Sequence, residues 1–185
     1  MNHVEKICKE KFHEQEFVRP VCRILDEVEV DYRVKEYFRL KRSDFDVEKV
    51  ILCGTSLRDF EYLKNIRIFD WLKDYRGDIL GICGGCQVLA HFFGGEVYKN
   101  KEIGKILVRL RKDFLSLPEQ FFVYSLHNLG ITFPRGFEVV AESEQGVQIV
   151  RREVPVDDGR TRQILGVLFH PEVLNKEIVE GFARR

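Results

Sequence analysis

The spacing of apolar and polar residues changes period several times along this chain, and each change marks an element. Between Glu14 and Glu27 the residues Phe17, Val21 and Leu25 share one stripe, with Val18 and Cys22 beside it, as in an amphipathic helix. Pro20 is compatible with that helix only near its first turn. Asp31 to Phe38 alternates instead, through Tyr32 and Val34, as a half-buried strand does. Lys49-Val50-Ile51-Leu52-Cys53 is a continuous apolar run halted by Gly54-Thr55-Ser56, the pattern of a strand buried on both faces. Helical spacing returns with Phe60, Leu63, Ile68, Phe69 and Leu72 as core positions and Trp71 at their edge. Asp78 to Ile82 reads as the next buried strand. Val88, Leu89, Phe92 and Phe93 then recur at helix spacing until Gly94-Gly95 ends the helix. Val4 to Cys8 is a first-strand candidate whose alternation Glu5 and Lys6 interrupt.

The second half has a different rhythm. Short strands follow one another at Glu96–Tyr98, Lys105–Leu110, Phe121–Leu126, Phe137–Ala141, Val147–Arg152 and Gln163–Phe169. The last two form a hairpin about Asp157-Asp158-Gly159. A closing helix carries Leu174, Ile178, Val179 and Phe182, with Asn175 as its N-cap. Alternating strands and helices, then a run of strands, predict an α/β domain. It has a central, mostly parallel sheet covered by helices on both faces, with an antiparallel portion added in the C-terminal half. No repeat or linker interrupts residues 1–185, so one domain is expected.

Composition narrows the function classes. Thirty basic residues balance thirty acidic ones, so no overall field recruits nucleic acid or an anionic membrane. No apolar run has the length of a membrane span, and the N-terminus lacks a signal peptide's apolar core; a cytoplasmic protein is expected. Five cysteines, an odd number, point to free thiols in a reducing compartment.

One of those thiols is conspicuous. Gly81-Ile82-Cys83-Gly84-Gly85 has the G-x-nucleophile-x-G form of a nucleophile elbow between strand and helix. The turn is so sharp that side chains two residues either side of the nucleophile would collide, which requires glycine at both places. The amide of Gly84 then points at any oxyanion formed on a substrate carbonyl, and the helix N-terminus favours the thiolate. Far along the chain a strand ends in His170-Pro171-Glu172, a base with a carboxylate two residues on and a proline fixing the backbone between them. In a parallel sheet the carboxyl ends of the strands share one rim, where Cys83 and His170 can meet.

These two motifs resemble the signatures of class I (triad-type) glutamine amidotransferases. Gly81 to Gln87 is similar to their G-I-C-x-G-x-Q, and Gly166 to Glu172 to their G-V-Q-F-H-P-E. The likeness extends to Cys53-Gly54-Thr55, to Ser125-Leu126-His127-Asn128 and to the closing helix. It implies a flavodoxin-like three-layer fold and the hydrolysis of glutamine by a Cys83, His170, Glu172 triad through a glutamyl thioester. It further implies an oxyanion hole from Gly84 and the Gly54-Thr55 turn. Gln87 and the backbone around His127, Asn128 and Leu129 would grip the amino-acid end of glutamine. No cofactor or metal is implied. The partners implied are L-glutamine and a separate synthetase chain that receives the ammonia, since no P-loop or second domain is visible. In size the chain is similar to the glutaminase subunits of two-chain GMP synthases, with anthranilate synthase subunits fitting almost as well.

Three positions depart from the family pattern. Cys86 stands where histidine is usual, Leu168 where the second signature has glutamine, and Thr55 where a second glycine is common. Thr55 carries a Cβ, so a positive φ there would be hard to meet. Two rivals compete for the cysteines: a Cys83-Gly84-Gly85-Cys86 redox pair, and a zinc site using Cys53, Cys83, Cys86 and a histidine. Neither accounts for Gly81, Gln87 or His170-Pro171-Glu172. A γ-glutamyl hydrolase would use the same triad. Cys53 and Cys86 are expected to pack, and a Cys83–Cys86 disulfide would silence the nucleophile.

Overall fold

A computed structural model describes residues 2–6, 13–156 and 159–185. Nine strands form one sheet in the order β2-β1-β3-β4-β9-β8-β7-β5-β6. They are β1 (Asn2–Lys6), β2 (Tyr32–Glu36), β3 (Lys49–Leu52), β4 (Asp78–Ile82), β5 (Val97–Leu110), β6 (Gln120–Ile131), β7 (Glu138–Ser143), β8 (Gly146–Pro155) and β9 (Thr161–Val167). The pairs β1–β2, β1–β3, β3–β4 and β4–β9 are parallel. Those from β9 outward, β8–β9, β7–β8, β5–β7 and β5–β6, are antiparallel. The expected α/β architecture, with its antiparallel portion in the second half, is what forms.

Alternation within each parallel strand assigns its residues to two cores. Ile51 and Cys53 in and after β3, Leu80 and Ile82 in β4, and Leu165 and Val167 in β9 face one layer. There they meet Val21, Cys22 and Leu25 of α1 (Arg19–Glu27) and, from the closing helix, Ile178, Val179 and Phe182. Val50, Leu52, Ile79 and Ile164 face the other layer, against Phe69, Leu72, Val88 and Leu89. A strand buried on both sides must be apolar at every position, which is why these runs are continuous. Pro20 lies in the first turn of α1, as its missing N–H requires, and a single π-type turn, Glu14–Val18, leads into it.

Between β3 and β4 the expected helix is broken into α2 (Glu61–Lys64) and a 3₁₀ stretch, Ile66–Lys73. Three residues per turn present a different face from 3.6, so Phe69 and Leu72 are buried while Ile68, assigned to the core from its spacing, is exposed. After β4, helix α3 (Gly84–Phe92) runs to Gly94, whose φ of +86° ends it. The strands expected at Glu96–Tyr98 and Lys105–Leu110 are one strand, β5, with a bulge between Lys99 and Glu102.

The chain closes with α4 (Pro171–Leu174) and α5 (Glu177–Arg184) rather than one helix. Leu174 is exposed, and Asn175 is the C-cap of α4 rather than an N-cap of α5: its N–H donates to Pro171 O at 2.8 Å and its side-chain amide to the Phe122 carbonyl at 3.3 Å. The far end of α5 is held by Lys49, whose buried Nζ donates to the carbonyls of Phe182 (3.1 Å) and Ala183 (2.9 Å). β8 and β9 pair as the expected hairpin, from Ile149–Val167 out to Pro155–Thr161. Asp157 and Asp158 of its loop, and Ile7 and Cys8 of the first-strand candidate, lie outside the described residues. Among the described residues no helix is long and apolar enough to cross a membrane.

Candidate active site

Cys83 sits between the last residue of β4 and the first of α3 with φ +47° and ψ −103°, a conformation costly for any residue with a Cβ. Two main-chain bonds hold it there: Cys83 N donates to Val167 O at 2.8 Å, and Gln87 N donates to Cys83 O at 3.0 Å. The glycines two residues either side are sterically required. A Cβ on Gly81 would stand 2.7 Å from the Gly85 carbonyl, and one on Gly85 would stand 2.1 Å from the Leu52 oxygen. The elbow therefore folds flat against β3 and thrusts the sulfur towards the carboxyl rim of the sheet.

β9 is the parallel neighbour of β4, so the chain that leaves it reaches the same rim. His170 follows there, its main-chain N–H bonded to Tyr124 O at 2.8 Å. Its Nδ1 lies 2.8 Å from Glu172 Oε1, and both side chains are almost fully buried. Cys83 and His170 converge on Gly54: a Cβ there would be 2.7 Å from His170 Cε1 and 3.4 Å from Cys83 Cβ. Phe17, on the turn before α1, covers the imidazole with ring centroids 5.3 Å apart. Burial alone would push the His170 ring towards neutrality. The adjacent Cys83 sulfur and the Glu172 carboxylate outweigh it and raise the ring well above the ordinary histidine range. The ring and the sulfur thus stand together at one point of the rim, with the carboxylate behind the ring.

A narrow cleft with a free volume of only about 10 Å³ adjoins the sulfur. One wall is the loop after β3, including Thr55, Ser56 and Leu57; the floor is Cys83, Gly84 and Gln87; the facing wall is Leu126 to Leu129 of β6. The expected site residues therefore come together. Gly84 opens α3, whose first amides have no partner within the helix. Among the described residues Thr55 is not one of the non-glycine positions with positive φ, so its Cβ is accommodated. Its hydroxyl donates to Asp59 Oδ2 at 2.9 Å, and Asp59 Oδ1 accepts from Glu61 N at 3.1 Å, which stiffens the loop. Asn128 Nδ2 ties this loop to β6 through Leu57 O at 3.1 Å. The Gln87 side chain spans the cleft floor, accepting from the Tyr62 hydroxyl and donating to Leu129 O at 3.1 Å. The sulfur of Cys83 approaches Leu126 O at 3.7 Å.

His127 turns its side chain away from the cleft. Its Nδ1 meets Asn100 O at 3.2 Å and its Nε2 lies 3.3 Å from Glu102 Oε2, so only its backbone serves the wall. Tyr62, Phe17 and Glu102 are not legible as site residues, because each acts on a site residue distant in sequence; Asp59, four residues from Thr55, belongs to no motif. Cys86 packs: its sulfur lies 2.8 Å from where a Cβ on Gly166 would be, in an apolar cluster with Ala90, Ile131 and Leu168. Burial pushes its thiol well up. The two departures from the family signatures, Cys86 and Leu168, are thus neighbours, an apolar pair where polar residues are usual. Cys22, Cys53, Cys83 and Cys86 are thiols rather than halves of disulfides, and among the described residues no His, Cys, Asp and Glu group could hold a metal ion.

Comparison with known proteins agrees with this geometry. The family Glutamine amidotransferase class-I matches residues 13–181. A GMP synthase [glutamine-hydrolyzing] of Thermotoga petrophila is 34% identical over 135 residues, 71% of this chain and 25% of that protein. That of Staphylococcus saprophyticus is 36% identical over 116 residues, 58% of this chain and 21% of its own length. The chain thus spans about a quarter of the length of these curated relatives. Among solved structures, a protein assigned as a GMP synthase subunit from Thermoplasma acidophilum superposes with a TM-score of 0.83 at 26% identity, covering 99% of this chain and 92% of that one. A glutamine amidotransferase of Thermotoga maritima shares the fold, with a TM-score of 0.70 at 22% identity over 98% and 81% of the two chains. With the family matched over most of its length, and a strained cysteine set beside a paired histidine and glutamate, this chain belongs to the class I glutamine amidotransferases.

Proposed function

We propose that residues 1–185 form one glutaminase domain that releases ammonia from glutamine and delivers it to a separate GMP synthase-like synthetase chain. The observation that carries this reading is the strained Cys83 elbow beside the 2.8 Å His170–Glu172 pair. The Cys83 thiolate attacks the γ-carbonyl carbon of glutamine. The oxyanion that develops is held by the amide of Gly84 and by one from the Gly54-Thr55 turn. The C–N bond breaks as His170 passes its proton to the leaving nitrogen, giving ammonia and a glutamyl thioester. Neutral His170 then takes a proton from water, which attacks the thioester. Collapse releases glutamate and restores the thiolate and the protonated ring. Glu172 keeps the imidazole oriented and balances its charge throughout. Gln87 and the main chain of 127–129 hold the amino-acid end.

An apolar surface beside the triad supports the partner. Leu107 and Phe122, paired across β5 and β6, are exposed with Ile103, and Val173 and Leu174 of α4 are exposed directly after Glu172. Exposed apolar side chains on the strands and helix that flank a site releasing ammonia suit a protein that seals the exit.

Glutamate release from glutamine, measured for the wild type and for Cys83→Ala with and without candidate synthetase chains, tests the reading. Turnover lost in Cys83→Ala and raised by the synthetase is expected. Turnover that survives the substitution overturns the triad. Preference for γ-glutamyl peptides over glutamine overturns the amidotransferase role in favour of hydrolase chemistry.

A further inference from the structure

Behind the β6 wall of the cleft lies a buried polar cluster that the triad does not use. Glu102 of β5 is only 4% exposed, yet three donors converge on its carboxylate. Ser143 Oγ of β7 donates to Oε1 at 2.7 Å, Gln148 Nε2 of β8 donates to Oε2 at 2.6 Å, and His127 Nε2 of β6 stands 3.3 Å from Oε2. Burial would push this carboxyl up, but hydrogen bonds from His127, Ser143 and Gln148 and the His127 charge outweigh it and hold the carboxyl below its ordinary value. On the other edge of the His127 ring, Nδ1 meets the carbonyl of Asn100 at 3.2 Å. That carbonyl lies in the β5 bulge, where pairing steps from Lys99–Leu129 to Glu102–His127. The two ring nitrogens therefore stand beside oxygen atoms from different strands, a carbonyl on one side and a carboxylate on the other.

Residues 126–129 are thus gripped from two sides. In front, Leu126 O approaches the Cys83 sulfur, Leu129 O accepts from Gln87, and the Asn128 side chain holds Leu57 of the loop after β3. Behind, His127 reaches back to Glu102 and the bulge. A bulge that re-aims a strand is a feature of site edges. From this arrangement we infer that Glu102 is a positioning residue for substrate binding: through His127 it fixes the register and depth of the 126–129 wall that receives glutamine, without touching substrate. The inference rests on the glutaminase reading.

Glu102→Gln keeps the shape but removes the carboxylate charge beside His127 and leaves one strong acceptor oxygen where there were two. Alkylation of Cys83 by iodoacetamide, followed with and without glutamine, separates the two roles, because the alkylation rate reports on the sulfur and protection by glutamine reports on the wall. The glutamine concentration giving half-protection is expected to rise at least fivefold in Glu102→Gln, with the unprotected rate within twofold of wild type. Ser143→Ala, which removes one donor at the edge of the cluster, is expected to shift half-protection twofold to threefold in the same sense. It keeps the test available if the first variant does not fold. Equal half-protection in wild type and a folded variant overturns the inference, as does a matching change in the unprotected rate, which a purely structural role would produce. A wild type that glutamine does not protect overturns the glutaminase reading itself.

Discussion

The parallel and antiparallel halves of the sheet contribute to the same cleft by different means. The parallel half presents side chains: Cys83 after β4 and His170 with Glu172 after β9, each at a strand end and each buried. The antiparallel half presents main chain. Its strand β6 offers the carbonyls of Leu126 and Leu129, while the polar side chains of this half, Glu102 and His127, are turned inward to brace it. Parallel strands end in loops that can adopt any shape, including the strained elbow. A long antiparallel strand has its backbone already committed to neighbours, so it serves better as a wall. Chemistry is therefore localised in one half and shape in the other, and substitutions should separate them.

The largest expected effect lies in the parallel half. Cys83→Ala should lower glutamine hydrolysis by roughly 10⁴-fold or more while leaving the melting temperature nearly unchanged. Gly54→Ala comes next. Its Cβ would stand 2.7 Å from His170 Cε1, so the ring must move, and a displacement of that size should cost about 100-fold in turnover with the fold intact. A Gly54→Ala protein with normal kcat would mean that the imidazole position is not set by this contact.

The seam between the halves gives a stability effect rather than a catalytic one. Cys86→His alone would push a polar ring into the cluster of Ala90, Ile131 and Leu168, and should destabilise by about 3 kcal/mol in denaturant unfolding. Adding Leu168→Gln offers it a partner, and should recover about 1 kcal/mol or more. Additive costs would show that the two departures are independent. A smaller effect concerns strain at the elbow: Cys83→Gly should be about 1 kcal/mol more stable than Cys83→Ala, because φ +47° suits glycine.

The base and its carboxylate should also make stability depend on pH. His170 is raised in the folded protein, so the stability it contributes is fully present below its unfolded value of about 6.5 and is lost as pH rises through the folded value. Glu172→Gln removes one of the charges that raise it. The stability difference between wild type and this variant should be widest at pH values just below the unfolded histidine value and should narrow as pH rises through the folded one. A gap that widens with pH would show that His170 is neutral in the folded protein.

How much was legible follows from the same division. Gly81, Cys83 and Gly85 could be read because the backbone tolerates almost nothing else at a strand-to-helix elbow. His170, Pro171 and Glu172 could be read because base and carboxylate are adjacent in sequence. Ile68 was misassigned because a 3₁₀ stretch shifts the buried face relative to an α-helix, and apolar spacing alone does not fix which period the backbone adopts. Asn175 has the residue type of an N-cap but directs its amide to Phe122 O, since a break between α4 and α5 set it facing β6. Glu102 stands between Lys101 and Ile103 with no local mark of being buried; three donors from three other strands make it so.

Continuous apolar strands encode the parallel core, and motifs whose parts lie within a few residues encode the candidates for nucleophile, base and orienting carboxylate. Folding alone makes Gly54 the point on which Cys83 and His170 close, sets Tyr62 on Gln87, puts Cys86 and Leu168 in one apolar cluster, and stands Glu102 behind the β6 wall. Local backbone demands are written in neighbouring residues. Contacts between distant strands are set by sheet order and register, which appear only once the chain is folded.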